Sequence, residues 1–354
     1  AIVGAIDSPV KKDSSAGTEI WTYNFAETLL KNGHQVTLFA SKGSVFSGEL
    51  VEVAAPSDVL DTAGMISKRK FVRFSINQMI EVLKCQDQFD LIHLSVYSLQ
   101  YALPFVKLFN KPIIITMHQS FSDDKDTKLI FEKFYEPTYV FISNNQANLK
   151  YLPKNYRIIH NGINIDDFNF QKSSNQDSLF WMSRISPEKG AQDAVKIAQK
   201  SDQKIILAGP IRQPEYFETL IKPFINEDIQ YLGTLDLTQK IKNYKKAKRF
   251  LMSIHWEEPF GFVMVESMAC GTPVLAYDRG SVREVITDGK TGFICPPDDI
   301  NCMVDYVNKI YEMPEEEYQK MRKNCRKHVE ENFTVEKMVD GYEKIYQKVM
   351  GDWE

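Results

Sequence analysis

The sequence predicts an α/β protein of two Rossmann-like, doubly wound domains, each a parallel sheet with helices on both faces, facing a central cleft. Three observations predict it. Short β-rich runs alternate with longer amphipathic runs along the whole chain. The 354 residues suit two domains of roughly 150 residues each. A polar run of linker composition, 171–177 (QKSSNQD), divides the pattern near its middle.

In the first half, residues 2–6 read as a strand. Trp21, Phe25 and Leu29 then recur every four residues, the stripe of a helix, which Asn32-Gly33 ends. Residues 35–40, 91–94, 112–117 and 139–142 are further strand candidates. The second half repeats the rhythm at 178–182, 204–208, 229–232, 249–253 and 273–277. The turn signal His160-Asn161-Gly162 precedes the linker run. These signals predict a first domain over 1–165, a second over 166–333 and a terminal segment over 334–354. That segment carries Val335, Met338, Val339, Tyr342, Ile345, Tyr346 and Val349 on one helical stripe, behind Thr334 as an N-cap. An apolar face so late in the chain needs something to pack against.

Composition is that of a soluble globular protein, 43% hydrophobic and 25% charged. No run approaches the ~18 apolar residues of a membrane span, and no signal peptide is visible. The chain opens directly on a strand, which suggests that a few residues precede Ala1 in the natural protein. A net charge of −4 argues against a nucleic-acid partner. Cys85, Cys270, Cys295, Cys302 and Cys325 are scattered, with no CxxC, and fit a reduced cytoplasmic protein better than a disulfide framework.

The strongest chemical signal is Glu258 to Glu266 in the context HWEEPFGFVMVESMACGTPV. Phe262, Val265 and Ala269 sit at helical spacing, so a helix begins near Gly261. Pro259 and Gly261 tighten the approach and bring backbone close to a ligand. A helix start offers free N–H groups and a partial positive charge, both suited to a diphosphate. Glu258 precedes this start and Glu266 lies just over one turn inside it. Each carboxylate can accept hydrogen bonds from a vicinal hydroxyl pair, one on a hexose and one on a ribose. The plainer alternative is a capping Glu and a solvated helix Glu.

The run Ser183-Arg184-Ile185-Ser186-Pro187-Glu188-Lys189-Gly190 forms a strand-to-helix turn bracketed by two cations. Arg offers a bidentate fork to phosphate oxygens and Lys a mobile point charge. Both would stabilise a departing diphosphate; the alternative is a turn with ordinary solvated charges. Ser15-Ala16-Gly17-Thr18-Glu19 is a small-residue turn before the first helix, where Gly17 either admits a ligand or simply shapes the turn. His118 ends the strand 112–117 and so points toward the crevice side, in reach of a sugar hydroxyl or phosphate; a lone His is also commonly structural. His93 sits similarly and is the weaker candidate. The one DxD-like cluster, Asp124-Lys125-Asp126, lies in a polar stretch running into a helix start, where Asp is favoured anyway. No metal or other cofactor is expected. A P-loop, a Ser/His/Asp triad and a GxGxxG after the first strand are not evident.

Together, AGTE…LLKNGHQVTLFAS, HNGINIDDF, SRISPEKG and EPFGFVMVESMACGTPV resemble glycosyltransferase family 4, over nearly the whole chain and in the family's order. Within it, IDSPV, RISPEKG and EPFG…GSVREVI are similar to a bacterial subgroup of glucosyltransferases acting on small acceptors such as tetrahydrobiopterin. The resemblance implies the GT-B fold, a nucleotide-sugar donor, UDP by family habit, and transfer of a hexose with retention to a hydroxyl acceptor: a small molecule, a lipid or a glycan. It implies that Glu258 contacts donor sugar hydroxyls, Glu266 the ribose, and Arg184 and Lys189 the diphosphate. Gly17 would lie under the diphosphate and His118 near the sugar. Amides around Phe260, Gly261, Phe262 and Val263 would touch sugar or phosphate, and Leu232-Gly233 would lie near the base. The last helix would cross back onto the first, acceptor-side domain. Contact with a membrane surface is one further expectation. Two departures matter: Ala16 and Ser183 stand where the family has glycine, and either side chain would crowd a diphosphate. Two rival readings remain: a nucleotide-sugar epimerase or hydrolase on this fold, and a non-catalytic nucleotide-sugar-binding protein.

Overall fold

The computed structural model describes residues 1–14, 16–61, 66–96, 99–170 and 178–352. The linker run 171–177, Ser15 and the end of the 43–65 segment lie outside the described residues. The chain divides into two compact units, Ala1–Gly162 with Val335–Glu354, and Ile163–Thr334. The division thus falls at the His160-Asn161-Gly162 turn, slightly ahead of the expected break after 165.

Among the described residues, the first unit is built on a seven-stranded sheet in the order β3-β2-β1-β4-β5-β6-β7. The strands are β1 Ile2–Val3, β2 Thr37–Ala40, β3 Glu49–Glu52, β4 Ile92–Leu94, β5 Ile113–Met117, β6 Thr138–Phe141 and β7 Tyr156–Ile158. Every neighbouring pair is parallel. Central strands of such sheets are covered on both faces, which explains their unbroken apolar runs. β1 is shorter than the expected 2–6 for a local reason. Its pairing continues toward β2, where Gly4 N–H donates to Phe39 O at 2.9 Å. There the buried Gln78 amide donates to the Gly4 carbonyl at 2.9 Å and to the Phe39 carbonyl at 3.0 Å, and the regular ladder stops. Strand order reverses at β1, with β2 on one side and β4 on the other, and ligands of open α/β sheets bind outside the carboxyl ends at such a point.

The second unit carries a six-stranded parallel sheet in the order β10-β9-β8-β11-β12-β13. Its strands are β8 Ser178–Met182, β9 Lys204–Ala208, β10 Ile229–Tyr231, β11 Ala247–Met252, β12 Val274–Tyr277 and β13 Gly292–Cys295. The reversal here falls at β8, between β9 and β11. Trp181, Leu207, Leu251, Leu275 and Tyr277 form the centre of its core.

The final helix, Val335–Gly351, packs against the helix Gly17–Lys31 of the first unit. Its apolar stripe meets aromatic partners: Phe25 lies 4.8 Å from Tyr342. The stripe also carries two buried hydroxyls. Tyr346 Oη is 2.6 Å from His93 Nδ1, Tyr342 Oη is 2.9 Å from Thr116 Oγ1, and His93 Nε2 is 2.7 Å from the same Thr116 oxygen. His93 is therefore a fully buried link between β4, β5 and the terminal helix, not a ligand group.

Segments 43–61 and 119–133 of the first unit hold regular structure. The first contains β3 and the short turn Pro56–Val59; the second contains the helix Lys125–Lys133. Asp124 caps that helix, accepting from Thr127 N–H at 2.8 Å, as the first turn of a helix favours. No group of three or more His, Cys, Asp or Glu among the described residues is placed to hold a metal ion.

Candidate functional site

The second unit gathers most of the expected residues at the carboxyl ends of β8 and β11, beside the reversal point. After β8 the chain passes Ser183 and the exposed Arg184, then turns through Pro187–Lys189 into the helix Ala191–Lys200. Gly190 makes this turn with φ +72°, and a Cβ there would lie 1.6 Å from the Ser253 carbonyl oxygen. The SPEKG loop is thus pressed against the end of β11. Ser253 Oγ donates to the Gly190 carbonyl at 2.7 Å, and His255 N–H donates to the Glu188 carbonyl at 2.9 Å. Two loops distant in sequence become one rigid surface.

That surface holds Lys189 and Glu258 together. Lys189 Nζ is 2.9 Å from Glu258 Oε2, with side chains 9% and 15% exposed. Burial this deep makes the pair far stiffer than a surface ion pair. Glu188 nearby is partly buried, which pushes its carboxyl up, but the Ser186 hydroxyl at 2.6 Å, its backbone bonding and the charges of Arg184 and Lys189 outweigh this and hold it below the ordinary carboxylate range. Behind Glu258 lies the start of the GSVREVI segment. Ser281 N–H donates to the Glu258 carbonyl at 2.9 Å, and Ser281 Oγ to the Phe260 carbonyl at 2.8 Å. A Cβ on Gly280, at φ +62°, would lie 2.2 Å from the Glu258 oxygen, so only glycine lets the two backbones meet.

The helix Phe262–Ala269 starts where expected, behind Gly261. Met264 N–H already donates to the Gly261 carbonyl at 3.0 Å. The amides of Phe262 and Val263 come earlier, where a helix leaves its N–H groups for caps or ligands. Phe260 is 1% exposed and packs on Phe262 and Phe333, so its ring is closed to a ligand.

Glu266 is neither a cap nor a solvated helix residue. It is 3% exposed; Lys240 Nζ donates to Oε1 at 2.8 Å and Tyr244 Oη to Oε2 at 2.9 Å. Burial, and then the Glu266 charge, raise the Tyr244 hydroxyl well above its usual range, so it stays a donor. Each carboxylate oxygen keeps a second lone pair for a hydroxyl. Lys240 and Tyr244 sit four residues apart on the helix Leu237–Lys246, one face by spacing, and nothing in the sequence pointed to Glu266 as their target. Leu232-Gly233 follow β10 at the sheet's edge, two strands from β8. Leu232 is 44% exposed, an apolar surface for a flat ring, while Gly233 O accepts from Gly209 N–H at 2.8 Å.

In the first unit, Gly17 opens the helix Gly17–Lys31 near the β1 reversal. Ala16 before it is exposed and extended, at φ −106°, so its methyl meets no backbone demand for glycine. His118 follows β5. Its Nε2 is 2.9 Å from Ser95 Oγ, which is 3.1 Å from Thr22 Oγ1, and its ring stands edge-on to Trp21 at 4.9 Å. Burial pushes the imidazole down to about 3, so it is neutral at physiological pH. A neutral His118 can serve a hydroxyl but cannot act as a cation on phosphate. Glu19 in the same helix start is 5% exposed, and burial raises it to about 7, with its own backbone bond opposing and Asp7 adding to the rise.

Comparison with known proteins bears on both units. Residues 15–167 match the family model described as Glycosyltransferase Family 4, and residues 163–328 the one described as Glycosyl transferases group 1. The chain carries both domains of a GT-B glycosyltransferase, and it belongs with that class. The N-acetyl-alpha-D-glucosaminyl L-malate synthase of Bacillus anthracis is 28% identical over 247 residues, 68% of this chain and 58% of that protein. The chain thus spans less than two thirds of that relative's length. Among solved structures, sucrose-phosphate synthase from Thermosynechococcus elongatus superimposes with a TM-score of 0.81 at 19% identity, over 99% of both chains. HepE of Anabaena, in complex with UDP and glucose, gives 0.78 at 16% identity, over 98% of this chain and 99% of that one. These two likenesses fix the fold.

Proposed function

We propose that the chain is a retaining glycosyltransferase that moves a hexose from a nucleotide-diphosphate sugar, UDP-linked, to a hydroxyl acceptor. The observation that carries this reading is the pair of buried cation–carboxylate contacts, Lys189–Glu258 and Lys240–Glu266, set on either side of one helix start. A diphosphate at that start competes with Glu258 for Lys189 and brings Arg184 as a second cation. Glu258 is then left for sugar hydroxyls and Glu266 for the ribose. The UDP complex of the structurally similar HepE supports UDP as the nucleotide.

Chemistry on this reading needs no protein nucleophile. The bond from the anomeric carbon to the phosphate oxygen breaks through an oxocarbenium-like state. The acceptor oxygen bonds on the same face, and its proton passes to the departing diphosphate. Lys189 and Arg184 stabilise the charge that develops there, with no metal assigned, and His118 orients a hydroxyl as a neutral partner. The resemblance of its motifs favours a small acceptor such as a reduced pterin. Contact with an anionic membrane surface is supported by the helix Lys68–Lys84, whose first half carries Lys68, Arg69, Lys70 and Arg73 with no acid before Glu81. Five free cysteines fit a reduced, cytoplasmic setting.

A thermal-shift panel of UDP-, GDP- and ADP-sugars tests the donor, because a ligand bound only by the folded state raises the melting temperature. The UDP-sugar is expected to give the largest rise. Product analysis then separates the classes. Transfer with unchanged anomeric configuration supports the proposal, and inversion overturns the retaining mechanism. Sugar isomerisation without acceptor would make the protein an epimerase, and donor binding without turnover a binding protein.

A further inference from the structure

Trp256 belongs to none of the recognised motifs, yet it touches both charged groups at the second unit's helix start. Its ring lies under the ammonium of Lys189, with Nζ 4.1 Å from the centroid. Its Nε1–H donates to Glu258 Oε2 at 2.9 Å, the same oxygen that receives Lys189 Nζ at 2.9 Å. Three side chains therefore close one triangle. Among the described residues, no hydrogen bond is made to the other carboxylate oxygen, Oε1.

We infer that Trp256 is a positioning residue for the donor sugar, an inference that rests on the donor reading of Lys189 and Glu258. A diphosphate draws Lys189 off Glu258. Without a second donor the half-buried carboxylate would lose its only fixed partner at the moment it must bind sugar hydroxyls. The indole N–H supplies that partner, holds the carboxylate in one rotamer and leaves Oε1 for the sugar. The ring face meanwhile restricts Lys189 to a small arc and keeps it desolvated, where a cation–π contact is worth most. No other aromatic residue type offers a flat face together with a ring N–H that is donor only; Phe lacks the N–H, and Tyr puts its hydroxyl on a different vector.

The full chain is titrated by calorimetry with UDP and with UDP-glucose, as wild type, Trp256→Phe and Trp256→Leu. Loss of a hydrogen bond to a charged group in Trp256→Phe is expected to weaken UDP-glucose roughly tenfold while leaving UDP within about twofold. Trp256→Leu, which also loses the ring face, is expected to weaken UDP by about threefold as well. Tryptophan emission gives a second readout. Wild-type emission changes when UDP-glucose draws Lys189 off Glu258 and shifts it across the ring face, and the change disappears in Trp256→Phe, whose melting temperature verifies folding. Wild-type-like UDP-glucose affinity in both variants overturns the inference while the donor reading stands. An equal loss for UDP and UDP-glucose in Trp256→Phe overturns the assignment to the sugar. A wild type that binds neither ligand overturns the donor reading and this inference with it.

Discussion

The carboxyl ends of the two sheets solve the same problem in opposite ways. In the second unit, buried ionisable groups are paired: Lys189 with Glu258 and Lys240 with Glu266, while Glu188 is held acidic by a hydroxyl and two cations. In the first unit burial pushes them toward their neutral forms: His118 down to about 3, His93 well below its usual range, and Glu19 up to about 7. Desolvation penalises charge in both places, and only the second unit supplies partners that repay it. The difference suits a diphosphate at one end and hydroxyls at the other.

The contrast can be broken most strongly at Gly190. Its positive φ and the 1.6 Å approach of a Cβ to the Ser253 oxygen predict that Gly190→Ala loses roughly 3 kcal/mol of stability. Thermal unfolding reads this, and an unchanged transition would mean that the charged site is not built on that close contact. Next come the charges themselves. Lys189→Ala and Arg184→Ala are each expected to lower the transfer rate by ~10²-fold or more, the scale of removing one charge-stabilising donor. His118→Ala, which removes only a neutral hydrogen-bonding group, should lose about tenfold or less. Equal losses at Lys189 and His118 would erase the distinction between the two ends.

Measured per pH unit, the effect on pH dependence is the smallest of these. His118 stays neutral in the folded protein down to about pH 3, whereas the unfolded chain protonates it below its ordinary value of 6.5. The unfolded state then binds more protons, so this residue's contribution is lost as pH falls from 6.5 toward 3. His118→Asn should flatten the acid slope of stability by about 1.4 kcal/mol per pH unit inside that window. Glu19 works the other way: folded, it holds its proton up to about 7, against an ordinary value of 4.5, so its contribution is lost as pH rises through that interval. Glu19→Gln should therefore remove a decline on the alkaline side. Unfolding curves taken from pH 4 to 7.5 measure both slopes.

Much of this architecture was legible from residue patterns. The strand runs 112–117, 178–182 and 204–208 and the stripe of the last helix are local signals, set by which faces must be apolar. β3 and β7 were not legible, because they are short, half-exposed edge strands with charged residues among the apolar ones. The helix start behind Gly261 was readable from glycine and helical spacing. The role of Glu266 was only half readable, since spacing says it lies on a helix but not that Lys240 and Tyr244 enclose it. His93 and His118 look alike in sequence, each at the end of an apolar run. What separates them is the terminal helix, whose Tyr346 and Tyr342 bury the first and leave the second in contact with Ser95.

By itself the sequence determined two alternating α/β halves, the turns between strand and helix, and the residue types able to hold a nucleotide sugar. Those follow from backbone preference and hydrophobic period, which act over a few neighbouring residues. Tertiary structure alone decided which charges meet. Lys189 and Glu258 are 69 positions apart in the chain and 2.9 Å apart in space, and that contact exists only because parallel strands β8 and β11 lie side by side. The same adjacency brings Gly190 against Ser253 and Trp256 against both the ammonium and the carboxylate, a placement no local rule encodes.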